Sequence, residues 1–236
     1  MKGMIELAAS GVAMDCYVSE PSGSGPHPGL VFAHHQDGVD EFTRVWADRL
    51  AGEGFLTIAP NNYHHSDRTA TRDAKKEALR DSHLAADVEA CVQWLKANPR
   101  VRGDAIGLLG HCMGGRTTYL GLVTNTAFKA GAAWYSGGCF ASRGKEGPSP
   151  FERFANINCP VIGFYGMEDT NPSPDDVNRL EAELKRLGKS VEFHRYEKTG
   201  HAFCNFAHPE KYREGSAEDS WRRAVAFLAR HLHLKV

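Results

Sequence analysis

The 236-residue sequence predicts an α/β fold: a mostly parallel, twisted sheet with helices on both faces and an antiparallel hairpin at its N-terminal edge. Three observations predict it. Continuous apolar runs such as residues 29–33 and 105–109 read as strands covered on both faces, as the inner strands of a parallel sheet are. Longer stretches with apolar residues at helical spacing lie between such runs, the alternation of β-α-β crossovers. Near the N-terminus the period drops to two, the mark of a half-covered strand.

Taken in order, Ile5 and Leu7, then Val12, Met14, Cys16 and Val18, alternate around a break at Ser10-Gly11 and form the hairpin. A Pro/Gly/Ser stretch at 21–28 ends it. Strand 29–33 feeds the loop His34-His35-Gln36-Asp37-Gly38. Phe42, Val45, Trp46, Arg49 and Leu50 repeat at helical spacing, and Gly52 or Gly54 stops that helix before strand 55–59. A polar loop, Asn61 to His65, precedes one helix over 75–97, with Leu79, Leu84, Val88, Cys91 and Leu95 on one face.

Strand 105–109 then runs into a Gly-rich turn, followed by a helix carrying Tyr119, Leu120, Leu122 and Val123. Residues 129–135 read as a strand and 136–150 as a Gly-rich loop of a length that usually carries function. Strand 161–165 leads into Gly166-Met167-Glu168-Asp169, helix 175–187 follows, and strand 191–196 leads into Thr199-Gly200-His201-Ala202-Phe203. Helix 218–231 closes the chain. No repeat or linker divides it, so one domain over 1–236 is expected.

Composition excludes several classes of function. Twenty-eight basic against twenty-nine acidic side chains leave a net charge of -1, so no overall field recruits nucleic acid or an anionic membrane. The N-terminus has no signal-peptide core and no stretch approaches the roughly 18 apolar residues of a membrane span. A soluble cytoplasmic protein is expected, a monomer or small homo-oligomer. Six cysteines, at 16, 91, 112, 139, 159 and 204, show no C-x-x-C spacing and are expected to be reduced.

One of these cysteines stands apart. Gly110-His111-Cys112-Met113-Gly114 joins strand to helix and places a thiol where the nucleophile-elbow pattern G-x-S-x-G places a hydroxyl. A sharp turn that aims one side chain into a cleft leaves no room for a Cβ two residues before or after it. The helix that follows presents unpaired amides and a positive dipole end, which favour thiolate. Cys112 is therefore the expected nucleophile rather than one more small buried group.

A thiol nucleophile needs a base, and the base needs a group that fixes its tautomer. Asp169 follows one later strand and His201 follows the next, so both reach the sheet edge where ligands bind. Glu168 is the alternative to Asp169. His201, unlike His194 and His208, sits directly after a strand-end glycine.

Three motifs, Gly-His-Cys-Met-Gly-Gly at 110–115, Tyr-Gly-x-x-Asp at 165–169 and Gly-His-x-Phe at 200–203, resemble the dienelactone hydrolase family of the α/β-hydrolase superfamily. The likeness runs from strand 29–33 to the last helix. It implies hydrolysis of a small ester or lactone by a Cys-His-Asp triad through an acyl-thioenzyme, with no cofactor. Cys112 would be nucleophile, His201 base and then acid, and Asp169 its orienter. The oxyanion hole would be the amide of Met113 plus one nearest Gln36. A carboxylesterase or thioesterase with the same triad, or a non-catalytic ligand-binding relative, are the alternatives.

The sequence departs from the dienelactone enzymes twice. Their loop glutamate is replaced by His35, which could stabilise a thiolate, and their arginine after the catalytic histidine is replaced by Asn205. Arg116 could meet a substrate carboxylate or make a structural salt bridge, and Tyr135 could line the pocket or belong to the core. His34-His35 and His64-His65 lack helical i, i+4 spacing and any neighbouring carboxylate or cysteine pattern. They are expected to be solvated loop histidines lining a cleft rather than metal ligands. Trp46, Trp94 and Cys204 are expected to be packing residues.

Overall fold

The computed structural model describes residues 2–234, so the first position and the last two of the expected unit lie outside it. Eight strands form one sheet in the order β1-β2-β4-β3-β5-β6-β7-β8. β1 (Lys2–Ala9) and β2 (Val12–Ser19) are an antiparallel hairpin turned at Ser10-Gly11, both with positive φ, and β2 pairs antiparallel with β4 (Leu56–Pro60). β3 (His27–Ala33), β5 (Val101–His111), β6 (Phe128–Trp134), β7 (Val161–Gly166) and β8 (Val191–Tyr196) continue it in parallel.

The inner strands are apolar throughout because each faces a separate core. Val31 and Leu108 meet α3 (Asp81–Ala97), α4 (Met113–Thr124) and α5 (Pro174–Arg186), while their neighbours Phe32 and Leu109 meet α1 (Glu41–Gly52) and α6 (Glu214–His231). Period two along the strand thus becomes helices on both faces. Among the described residues no helix is long and apolar enough to cross a membrane.

The expected elements are present with four differences. The helix expected over 75–97 is two, α2 (Arg72–Ala78) and α3, because Leu79 and Arg80 are extended. Leu79 is buried, but from the break, where it packs with Tyr63, Leu84, Met113 and Leu120. Apolar spacing does not distinguish that burial from a helical one. The last helix begins at Glu214, ahead of its first apolar anchor Ala217, and a short 3-10 turn at Phe151–Asn156 buries Phe154. Val45 faces outward at 36 % exposure, leaving Phe42, Trp46 and Leu50 as the inner face of α1.

Candidate active site

The turn between β5 and α4 is as sharp as its glycines imply. Cys112 has φ 54 and ψ -116, a strained conformation for a residue with a side chain, and its amide donates to the Trp134 carbonyl at 3.0 Å. A Cβ on Gly114 would overlap the Ala33 carbonyl and lie 2.8 Å from that of His34, and one on Gly115 would lie 2.7 Å from the Trp134 carbonyl. The helix start is therefore pressed against the ends of two strands. Cys112 is the partly exposed one among six unpaired cysteines. Burial pushes Cys139 and Cys159 up to about 12. His111, beneath Cys112, is wholly buried between Trp46 and Trp134, and that burial holds it far below its ordinary range and neutral.

The loops after β7 and β8 meet over Cys112. A Cβ on Gly166 would collide with the Thr199 carbonyl, and this close approach brings the two loops together. His201 Nδ1 lies 2.7 Å from Asp169 Oδ2, while Asp169 Oδ1 accepts from the Asn171 amide at 2.8 Å. Asp169 is buried and Glu168 exposed, which separates two carboxylates that adjoin in sequence. Cys112 and His201 line the same cleft, and Tyr135 packs against the His201 ring in an edge-to-face contact at 4.9 Å.

Burial by itself would lower His201, but hydrogen bonds to Asp169 and Cys112 and their charges outweigh it and hold the imidazole at about 10. The folded protein thus keeps a proton that the unfolded chain releases near 6.5. This stabilisation is complete below pH 6.5 and is lost as pH rises towards 10. Between those values the Tm of the wild type is expected to fall more steeply with pH than that of His201→Gln; parallel curves would contradict the assignment.

Cys112, Met113, Gln36, Asp169 and His201 line one cleft of about 260 Å³. Met113 is the first residue of α4, where an amide has no partner within the helix. Gln36 is held by Tyr63, whose hydroxyl donates to the Gln36 carbonyl at 2.8 Å, and by Lys76, whose Nζ is 3.2 Å from Gln36 Oε1. A wider concavity of about 430 Å³ lies over the hairpin and contains none of Cys112, Asp169 or His201.

Three expected contributors sit differently from the simplest expectation. Arg116 is buried and makes a two-pronged pair with Asp81, at 2.7 and 2.9 Å, while Nε donates to the Gly138 carbonyl at 2.9 Å and Nη2 to that of Ala141 at 2.5 Å. Its donors are spent on α3 and the loop after β6, so it anchors the cleft wall rather than facing a substrate carboxylate. His35 meets Asp40 at 3.0 Å and Asp37 at 3.4 Å with its two ring nitrogens. Both are turned to carboxylates, which corrects the expectation of an imidazole that supports the thiolate directly, although His35 still lines a small cavity of about 40 Å³ beside Cys112. Tyr135 is both core and wall: it is buried, and it lines that cavity.

Sequence reasoning missed Arg143 and Lys76, which line the cleft mouth. Arg143 Nη1 donates to the Lys76 carbonyl at 3.2 Å, and its Nε is buried without a hydrogen-bond partner among the described residues. Desolvation and the nearby Arg116 pull Arg143 below the usual guanidinium range. Its signal was its position in the long 136–150 loop, but nothing local distinguishes an inward arginine there from a solvated one.

Comparison with known proteins identifies the family. The profile described as "Dienelactone hydrolase family" matches residues 14–232. A protein of Salmonella typhimurium strain LT2, provisionally named a carboxymethylenebutenolidase, is 31 % identical over 240 residues, covering 97 % of this chain and 87 % of its own. A crystal structure from Klebsiella pneumoniae subsp. pneumoniae MGH 78578, provisionally described as a dienelactone hydrolase, superposes with a TM-score of 0.90 at 27 % identity and 98 % coverage of both chains. The metagenomic dienelactone hydrolase-like promiscuous phosphotriesterase P91, at 17 % identity, 98 % coverage of both chains and a TM-score of 0.84, shares the fold. With a profile spanning nearly the whole chain and a relative above 30 % identity, the protein belongs to the dienelactone hydrolase family.

Proposed function

We propose that the protein hydrolyses a small ester or lactone through an acyl-thioenzyme on Cys112. The observation that carries this reading is the single cleft in which a strained, partly exposed Cys112 adjoins an imidazole hydrogen-bonded to a buried carboxylate. His201 holds as imidazolium the proton that the thiol gives up, and Asp169 keeps its Nδ1–H oriented and stabilises that charge. The Cys112 sulfur attacks the acyl carbon, and the amides of Met113 and Gln36 face the developing oxyanion, each such donor contributing about 3 kcal/mol. The high proton affinity of His201 suits it to hold that proton until the alkoxide departs and then deliver it. Water activated by His201 cleaves the thioester and restores the thiol.

Mixing with p-nitrophenyl acetate tests the reading. The expected result is a burst of nitrophenolate equal to the enzyme concentration, with an acetyl group recovered on Cys112 by peptide mass spectrometry. Turnover with no acylated Cys112 would overturn it.

The mouth of the cleft adds substrate preference. Arg143 and Lys76 place positive charge on this cleft, while Asn205 lines the separate small cavity beside Cys112, and that charge favours an ester or lactone bearing a carboxylate. Arg143→Gln is expected to raise KM for a carboxylate-bearing ester by about 10- to 100-fold, in line with roughly 1.5–3 kcal/mol for a charged hydrogen bond, and to leave a neutral ester of equal size within about twofold. Equal changes for both esters would show that Arg143 only supports the loop.

A further inference from the structure

The polar loop after β4 and the first turns of α3 build a second cluster, away from the proposed nucleophile. One ligand-capable atom each from His64, His65 and Asp87 lie within 4.8 Å of one another. The side chains of His64 and Asp87 are 3 % and 0 % exposed. Asp87 Oδ1 is 2.8 Å from His64 Nε2, and Asp87 Oδ2 accepts from Asn62 Nδ2 at 2.8 Å. The Asn62 amide in turn donates to His34 Nε2 at 3.0 Å, and burial holds His34 down at about 4. The residues around the cluster are thus fixed by a buried hydrogen-bond chain that joins the loops after β3 and β4 to α3.

Within that frame two atoms have nothing to bind. His64 Nδ1 and His65 Nε2 are buried with no hydrogen-bond partner among the described residues. Buried imidazole nitrogens are ordinarily satisfied; with His64 Nε2 engaged by Asp87, the open His64 Nδ1 and His65 Nε2 are lone pairs available to a cation in the tautomers that leave them unprotonated. Asp87 is fully buried, and among the described residues its ionic partner is His64. A third imidazole, His83, stacks on His65 with ring centroids 3.9 Å apart.

We propose that His64, His65 and Asp87 form a binding site for a divalent late first-row metal ion of the Zn2+, Ni2+ or Co2+ class. Two imidazoles and one carboxylate suit such ions better than Mg2+ or Ca2+, which take oxygen ligands. Metal–ligand bonds of about 2.0–2.1 Å put tetrahedral ligand atoms roughly 3.4 Å apart, so a cluster spread over at most 4.8 Å closes by small side-chain rotations. The fourth position falls to water or to His83. The ion would cross-link the loop after β4 to α3, next to Tyr63, which holds the Gln36 carbonyl. No step of ester cleavage passes through it.

The test uses full-length Cys112→Ser protein stripped with chelator, so the reactive thiol neither binds metal nor ties the result to hydrolysis. Calorimetric titration with Ni2+ or Zn2+ is expected to give one ion per chain, with Tm rising by roughly 5–10 °C at a hundredfold excess over Kd. Co2+ is expected to give visible bands without the near-ultraviolet charge transfer of a thiolate ligand. His65→Gln, at a half-buried loop position, is expected to weaken binding at least tenfold and to abolish the Tm response. No binding below millimolar metal, a thiolate spectrum, or unchanged binding in His65→Gln would each overturn the proposal, and none of these outcomes bears on the role of Cys112.

Discussion

Cys112→Ala is expected to lower kcat/KM for small esters by at least about 10⁴-fold, equivalent to roughly 5.5 kcal/mol of transition-state stabilisation. Removing the sulfur eliminates the covalent route, while the cleft, the candidate oxyanion amides and the His201–Asp169 pair remain and support only residual turnover. The fold should be unaffected, because alanine can occupy the same turn and Cys112 is only partly buried. Matched Tm values alongside lost turnover are therefore the diagnostic pair. Cys112→Ser is expected to fall between them, since a hydroxyl gives up its proton to His201 less readily than a thiol. Retention of more than a tenth of the wild-type activity by Cys112→Ala would refute nucleophilic catalysis by this residue.

Gly114→Ala is expected to have the largest effect on stability, at least about 3–4 kcal/mol, at or beyond the upper end for overpacking a well-filled site. The added methyl would meet backbone, the Ala33 and His34 carbonyls, and not the movable end of a side chain. Relief requires α4 to withdraw from the end of β3, which also pulls Cys112 and Met113 away from the loop that carries Gln36. Gly215→Ala provides the contrast. It lies in the first turn of α6, where a Cβ meets nothing within 4 Å, and should be neutral or stabilising by up to about 1 kcal/mol. Urea denaturation of the two variants measures the difference directly; similar midpoints would mean that the elbow tolerates a side chain at 114.

The elements that were legible in the sequence are those whose signal is local. Period-two alternation marked the hairpin, continuous apolar runs marked β3, β5, β6 and β7, and the glycines at 110 and 114 marked the elbow. The break at Leu79-Arg80 was not legible, since every residue from 75 to 97 tolerates a helix. Its reason is tertiary: it sets Asp81 opposite the buried Arg116 and lets Leu79 fill the pocket beside Met113. The start of the last helix at Glu214 lies ahead of the expected 218 because its first turn carries few apolar residues and no side-chain cap marks it.

The same division holds in the cleft. The order of Cys112, Asp169 and His201 along the chain, each after a strand, assigned all three to one sheet edge, because parallel strands deliver their C-terminal ends to the same side. Which carboxylate meets the imidazole was decided only in three dimensions, where the turn after β7 buries Asp169 and leaves Glu168 in solvent.

The sequence by itself determined the fold class, the family and the strained turn that displays Cys112, since these rest on periodicity and on steric rules that act within a few residues. Only the tertiary structure decided that Arg116 is spent on Asp81, that Arg143 faces the cleft, that His35 is turned to two carboxylates, and that Asp87 comes to His64 and His65. Each of these pairs groups far apart in sequence or chooses between orientations, and burial and charge pairing, which make that choice, are properties of the folded chain.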